Sequence, residues 1–158
     1  MADTAENQAA DPAEGTQPIV KTRTVPLGVD SAFSLFTDEM TSWWPFASHS
    51  IAGSDVERVV FDLEAAELVE HTTDGTTHTW AEIEAWDPPH RLALAWHPGR
   101  GADAATSLEV RFEPDGDGTR VVLTHAGWER FGSEAPSLRT NYDTGWDHVL
   151  APYVSLDG

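Results

Sequence analysis

The chain has no cysteine, which removes disulfides, thiol nucleophiles and thiolate metal sites together. Lysine occurs once, at Lys21, beside eight arginines, against 27 acidic residues. The formal charge is −18, of which −4 falls on residues 1–17 and −14 on the rest. A field of that sign repels nucleic acid and anionic membrane surfaces, so neither is an expected partner. No apolar run approaches the ~20 residues needed to cross a bilayer. The opening MADTAENQAADPAEG has neither a basic start nor an apolar stretch; it does not read as a secretory signal, and the expected location is cytoplasmic. Chemistry-bearing loops are also scarce. GRGAD at 99–103 lacks the lysine and the following helix of a phosphate loop, and no serine or threonine stands in a nucleophile elbow. The histidines at 49, 71, 78, 90, 97, 125 and 148 show no H-E-x-x-H spacing, so neither a metal nor a cofactor is expected.

What remains is a chain of 158 residues, 40% hydrophobic, which suits one domain with one core. Residues 1–17 are too polar to bury anything and are expected to form a disordered acidic tail; residues 18–158 are expected to fold as a single domain. IVKTRTV from Ile19 alternates as a first strand that Pro26 ends. Asp30 or Ser31 can cap a short helix through Phe33, Leu35 and Phe36, and Asp38 can start a second short turn. In TSWWPFASHSI at 41–51, Pro45 forbids a regular helix, so Trp43, Trp44 and Phe46 belong to a turn or loop. Strand patterns then recur at 57–63, 66–71, 77–86, 91–97, 107–114 and 119–127, separated by Thr73-Asp74-Gly75, Asp87-Pro88-Pro89 and Asp115-Gly116-Asp117-Gly118.

The last pattern is different. Across Pro136–Leu156, the residues Leu138, Tyr142, Gly145, Trp146, Val149, Tyr153 and Leu156 recur at three- and four-residue steps. That spacing places them on one side of a helix, with Arg139, Asp143, Asp147 and His148 largely on the other. Such a helix spans about 30 Å. Gly145 in its middle marks either close packing on the sheet or room for a ligand beneath it, and Pro152 should bend its last turn. Strands followed by one long helix predict an α+β domain with helices on one sheet face.

Candidate site residues follow from strand phase. Trp96 shares a phase with Leu92 and Leu94, and Trp146 lies on the apolar helix face, so the two are expected to face each other. His125 is in phase with Val121 and Leu123 and points inward; it could hydrogen-bond a ligand or move a proton near neutral pH. Glu82 and Glu84 continue the phase of Trp80, although base rates for charged residues favour a solvated face. Arg91, Arg111 and Arg120 read as outward strand residues that pair with carboxylates such as Glu109.

DPPHRLALAWHPG at 87–99, SLEVRFEPDGDGTRVVLTHAGWER at 107–130 and GWDHVL at 145–150 carry a resemblance. In this order they resemble the START-like, or SRPBCC, helix-grip superfamily. The branch most similar is the one related to the heat-shock-protein-ninety ATPase activator, also called polyketide-cyclase-like. The resemblance covers about residues 18–156. It implies a curved antiparallel sheet of six to seven strands wrapped around the long C-terminal helix, with two short helices after the first strand. It also implies an elongated hydrophobic cavity, with Trp43, Trp44 and Phe46 at its rim. Trp80, Trp96, Phe112, His125, Tyr142, Trp146 and Leu150 complete the expected ligand-binding set, and His125 is the catalytic candidate if any reaction occurs. The function so implied is binding of a small lipophilic or aromatic molecule, without assigned chemistry. The alternatives are a cyclase, dehydratase or hydrolase in the same cavity, and a chaperone-contacting interaction domain, the least favoured for so acidic a chain. A homodimer is compatible with all three.

Overall fold

A computed structural model describes residues 16–99 and 101–155. Most of the expected tail, and Leu156 of the expected helix, lie outside the described residues. The strands are β1 (Ile19–Val25), β2 (Val56–Asp62), β3 (Glu67–Thr72), β4 (Thr77–Asp87), β5 (Arg91–Trp96), β6 (Thr106–Asp115) and β7 (Gly118–Ala126). Two α-helices accompany them, α1 (Val29–Phe36) and α2 (Ala135–Ser155). The second short helix expected after β1 is a single 3-10 turn, Met40–Ser42. Gly28 caps α1, not Asp30 or Ser31, so the helix begins earlier than its polar residues suggest.

One antiparallel sheet runs in the order β1-β7-β6-β5-β4-β3-β2. The hairpin turns expected between strands make β2 to β7 a meander, and β1 returns to pair with β7 from Ile19↔His125 to Val25↔Thr119. Register shifts at Val56/Arg58, Leu68/Val69 and Ile83/Ala85 insert bulges in successive pairs. Bulges bend and twist a ladder, and the sheet curls into a half-barrel around α2: the helix-grip architecture.

Period-two alternation fills the concave face. Leu68 on β3, Leu92 and Leu94 on β5, Leu108, Val110 and Phe112 on β6, and Val121 and Leu123 on β7 are all buried. From α2, Trp146, Val149, Leu150 and Tyr153 press onto them. Fully burying side chains of this size contributes about 1.5–3 kcal/mol each, enough to hold a helix with no acidic residue in its first turn and no basic one in its last. The Tyr153 hydroxyl donates to the Ala32 carbonyl at 2.9 Å and ties α2 to α1. On the opposite flank of α2, Lys21 of β1 reaches Asp143 at 2.8 Å and Asp147 at 3.1 Å, and Arg23 reaches Asp147 at 2.8 Å. These half-exposed pairs set the helix against the sheet edge more than they stabilise it.

The concave face changes character along its length. At one end the inward phase is aliphatic and phenyl, and α1 closes it. Toward the other end the same phases run from Leu68 to Glu70, from Leu94 to Trp96, from Leu108 to Thr106 and from Leu123 to His125. Polar groups buried in core phases mark that end as the unusual one.

Candidate functional site

At that end a cavity of about 460 Å³ opens between β4, β5, the loop after Trp43, and α2. Its size falls in the range of small-molecule sites, about 300–1,000 Å³. Four indoles line it: Trp44 from the loop, Trp80 from β4, Trp96 from β5 and Trp146 from α2. Trp44 lies 5.0 Å from Trp80, 6.2 Å from Trp96 and 6.0 Å from Trp146, centroid to centroid. Trp96 lies 5.9 Å from Trp80 and 5.6 Å from Trp146. Tyr142, Gly145 and Val149 add the helix side, and Ser48, His49, Ser50 and Ile51 the loop side. The described lining contains no Lys, Arg, Asp or Glu.

The indole N–H groups are accounted for one by one. Trp44 Nε1 donates to the His49 carbonyl at 2.6 Å, Trp80 Nε1 to Glu70 Oε1 at 2.8 Å, and Trp146 Nε1 to His125 Nδ1 at 3.0 Å. Trp96 Nε1 is buried and has no hydrogen-bond partner among the described residues. An unpaired buried donor costs about 1–3 kcal/mol, and this one belongs to a wall of the cavity.

Glu70 explains how an irregular loop holds shape. Its side chain is fully buried and takes the amides of Ile51 and Ala52 at 2.9 Å each, besides the Trp80 indole. Ser50 continues the bracing: its hydroxyl donates to the Phe46 carbonyl at 2.6 Å and accepts from the Gly53 amide at 2.8 Å. The carboxylate therefore fastens the cavity's loop wall to β3 and β4 through N–H donors rather than through a cation. Glu70 was not picked out from sequence, although the phase of Leu68 places it inward, and of the loop only Trp43, Trp44 and Phe46 were.

His125 is not where a proton-transfer residue must be. It is fully buried, does not line the cavity, and stacks with Trp128 at 4.3 Å. Because an indole N–H only donates, Nδ1 bears the lone pair, and Nε2–H then donates to Thr106 Oγ1 at 2.6 Å. The Thr106 hydroxyl in turn donates to the Trp96 carbonyl at 3.3 Å. Burial pushes the imidazole down to about 3, so it is neutral at physiological pH. The expected inward histidine is real, and it anchors two walls of the cavity instead of lining it.

Of the ten expected site residues, the structure brings Trp44, Trp80, Trp96, Tyr142 and Trp146 to the cavity. Phe112 points inward at the wrong end of the sheet, 5.1 Å from Phe33 and 5.7 Å from Phe36 under α1. Trp43 turns the same way, its ring 5.0 Å from Tyr153 and its N–H on the Leu35 carbonyl at 2.7 Å. Phe46 is half-buried against the core, and Leu150 lies one helix position round from Val149, in the core. Glu82 and Glu84 do not follow Trp80 inward. The bulge at Leu68/Val69 makes Trp80 the extra residue, so Trp80 and Ala81 are both buried and the phase flips. Glu82 instead holds His97 Nε2 with both oxygens at 2.8 Å. The surface arginines pair as expected, Arg91 and Arg111 with Glu109 and Arg120 with Glu113. Among the described residues, no three His, Asp or Glu side chains converge as metal ligands would, and no helix is long and apolar enough to cross a membrane.

At Gly145, a methyl group built on the backbone would lie 3.7 Å from the edge of the His49 ring, an ordinary contact. Backbone packing therefore does not demand glycine there. The small residue keeps the helix side of the cavity open.

The family model described as Activator of Hsp90 ATPase homolog 1-like protein matches residues 28–152. Among curated proteins no sequence matches this chain. Of the solved structures, Txn09, described as an anthrahydroquino-gamma-pyrone synthase complexed with SUM, is 30% identical, with 87% of this chain and 95% of that one covered and a TM-score of 0.59. CalC from Micromonospora echinospora, described as a self-sacrificing resistance protein, is 24% identical over 89% of this chain and 94% of its own, with a TM-score of 0.68. The Aha1 dimer from Colwellia psychrerythraea is 14% identical over 89% and 92% of the two chains, with a TM-score of 0.59.

Proposed function

The chain belongs to the Activator of Hsp90 ATPase homolog 1-like protein family, and on that footing we propose that it binds a small hydrophobic or aromatic molecule in the cavity between the sheet and α2. The observation that carries the reading is the box of four indoles around about 460 Å³ of space, with no Asp, Glu, Lys or Arg among the described residues of its wall. Three of the four N–H groups are committed to internal acceptors, so the rings are held in place before any ligand arrives. Preorganisation of this sort reduces the ordering cost of binding. Large flat rings also match flat apolar ligands by offset and edge contacts, each pair contributing about 0.5–1.5 kcal/mol beyond area burial.

The name of Txn09, a synthase, supports a second reading in which the bound molecule is also transformed in the same cavity. Titration with the neutral solvatochromic dye prodan tests the first reading. Its emission should shift to the blue with one saturable site while tryptophan fluorescence is quenched. Emission that stays as in water would remove the reading. Extraction and mass spectrometry of molecules retained by the purified protein then supply a natural candidate, and its mass after incubation separates binding from turnover.

A further inference from the structure

The polar side chains around the cavity differ in what they have left to offer. Ser50 is spent as a donor and already accepts once, donating to the Phe46 carbonyl and accepting from the Gly53 amide. Asn141 stands at the exposed rim. His49 is different: its Nδ1 is engaged by the Ser48 hydroxyl at 2.7 Å, while the Nε2 edge of the ring leans over Gly145, 3.7 Å from where a methyl would sit. The described residues give Nε2 no hydrogen-bond partner. The ring is fixed from behind as well, since the His49 carbonyl receives the Trp44 indole at 2.6 Å and its amide bonds the Pro45 carbonyl at 2.9 Å.

Tautomer follows from the neighbours. The Ser48 oxygen also lies 3.5 Å from the Pro45 carbonyl, which can only accept. With its proton directed there, the hydroxyl accepts from Nδ1–H, and Nε2 presents a lone pair to the cavity. Burial first, and then the neighbouring imidazole of His148 6.0 Å away on α2, lower the basicity of His49. No Lys or Arg among the described residues lines the space, so a ligand carboxylate or phosphate would find no counter-charge among them.

We propose that His49 is the polar recognition residue of this cavity, and that Nε2 accepts a hydrogen bond from an acidic hydroxyl, phenolic or enolic, on a flat aromatic ligand. The inference rests on the binding reading above and narrows it to a chemical class. The test compares 2-naphthol with 2-methoxynaphthalene, equal in body and different only in the donor, by tryptophan quenching of the full chain. Wild-type protein should prefer 2-naphthol by about 3- to 10-fold, the range of one neutral hydrogen bond. His49→Leu should abolish the preference, so that the two probes bind alike. With histidine labelled in ¹⁵N, wild-type protein should show a shift of the His49 Nε2 resonance with 2-naphthol and none with 2-methoxynaphthalene, a readout that does not depend on a variant folding. Equal binding of both probes by wild-type protein, with no such shift, overturns the inference and leaves the cavity reading standing. Binding of neither probe overturns both.

Discussion

Trp146 on α2 donates its indole N–H to Nδ1 of His125 on β7 at 3.0 Å, and that one bond fixes the helix to the sheet beside the cavity. It also fixes the tautomer, so that Nε2–H meets Thr106 and the Thr106 hydroxyl meets the Trp96 carbonyl. Two of the four cavity indoles are thereby coupled through a buried histidine that never touches the space between them. Replacing His125 by leucine keeps an apolar volume there but strips the acceptor from Trp146. Urea unfolding should show a loss of about 1–3 kcal/mol. Prodan affinity should fall as well, because the Trp146 ring loses its anchor. Unchanged stability would mean that the network does not hold the two layers together.

The same histidine sets a pH dependence. Its folded-state value, about 3, lies below the ordinary 6.5, so between those limits the unfolded chain binds a proton that the folded chain refuses. Stability is complete above pH 6.5 and declines as pH falls toward 3, at about 1.4 kcal/mol per pH unit from this group. Comparing unfolding curves of wild-type and His125→Leu protein isolates the term. The stability gap between them should close as pH falls below 6.5 and then reverse in favour of the variant as pH approaches 3. Parallel curves would contradict a neutral, buried imidazole.

Glu70 makes a separate prediction about the loop wall. Glu70→Ala leaves the amides of Ile51 and Ala52 and the Trp80 indole without their acceptor. The expected cost is about 2–4 kcal/mol, reduced where water can enter. Hydrogen exchange should quicken at Ile51 and Ala52 before it does in β5 or β6. Glu70→Gln tests the charge: it keeps one acceptor oxygen, adds an N–H₂ that no neighbour in the trio can accept, and should recover only part of the protection.

Strand positions were legible because alternation of period two runs unbroken in β3, β5, β6 and β7, and the long helix because its apolar stripe repeats at three and four. The inward direction of Trp96 and His125 followed from the same alternation, while Phe112 entered only through the family resemblance. What phase does not carry is position along the sheet. Phe112 and Trp96 are both inward, yet one meets α1 and the other the cavity. A single bulged residue at Trp80 was equally invisible: it takes Glu82 out of Trp80's phase, toward the solvated face that base rates had favoured. His49 could not be placed because its position depends on a loop whose shape is set by Glu70, Ser50 and Trp44 acting together. The one local sign was Gly145, a helix-weakening residue in mid-helix, which faces that histidine.

Gly145 also gives the most direct test of the central claim, that the space under α2 exists to hold a ligand. Gly145→Ala should raise stability by about 0.5–1 kcal/mol, since alanine suits a helix interior better and its methyl meets only an ordinary contact. Gly145→Leu sends a larger side chain into the cavity without removing any wall. The decisive measurement is prodan affinity across glycine, alanine and leucine at position 145, with thermal unfolding followed on the same samples. The account predicts affinity that falls stepwise and is lost with leucine while the folded state persists. Full-strength dye binding by a folded Gly145→Leu protein would contradict it.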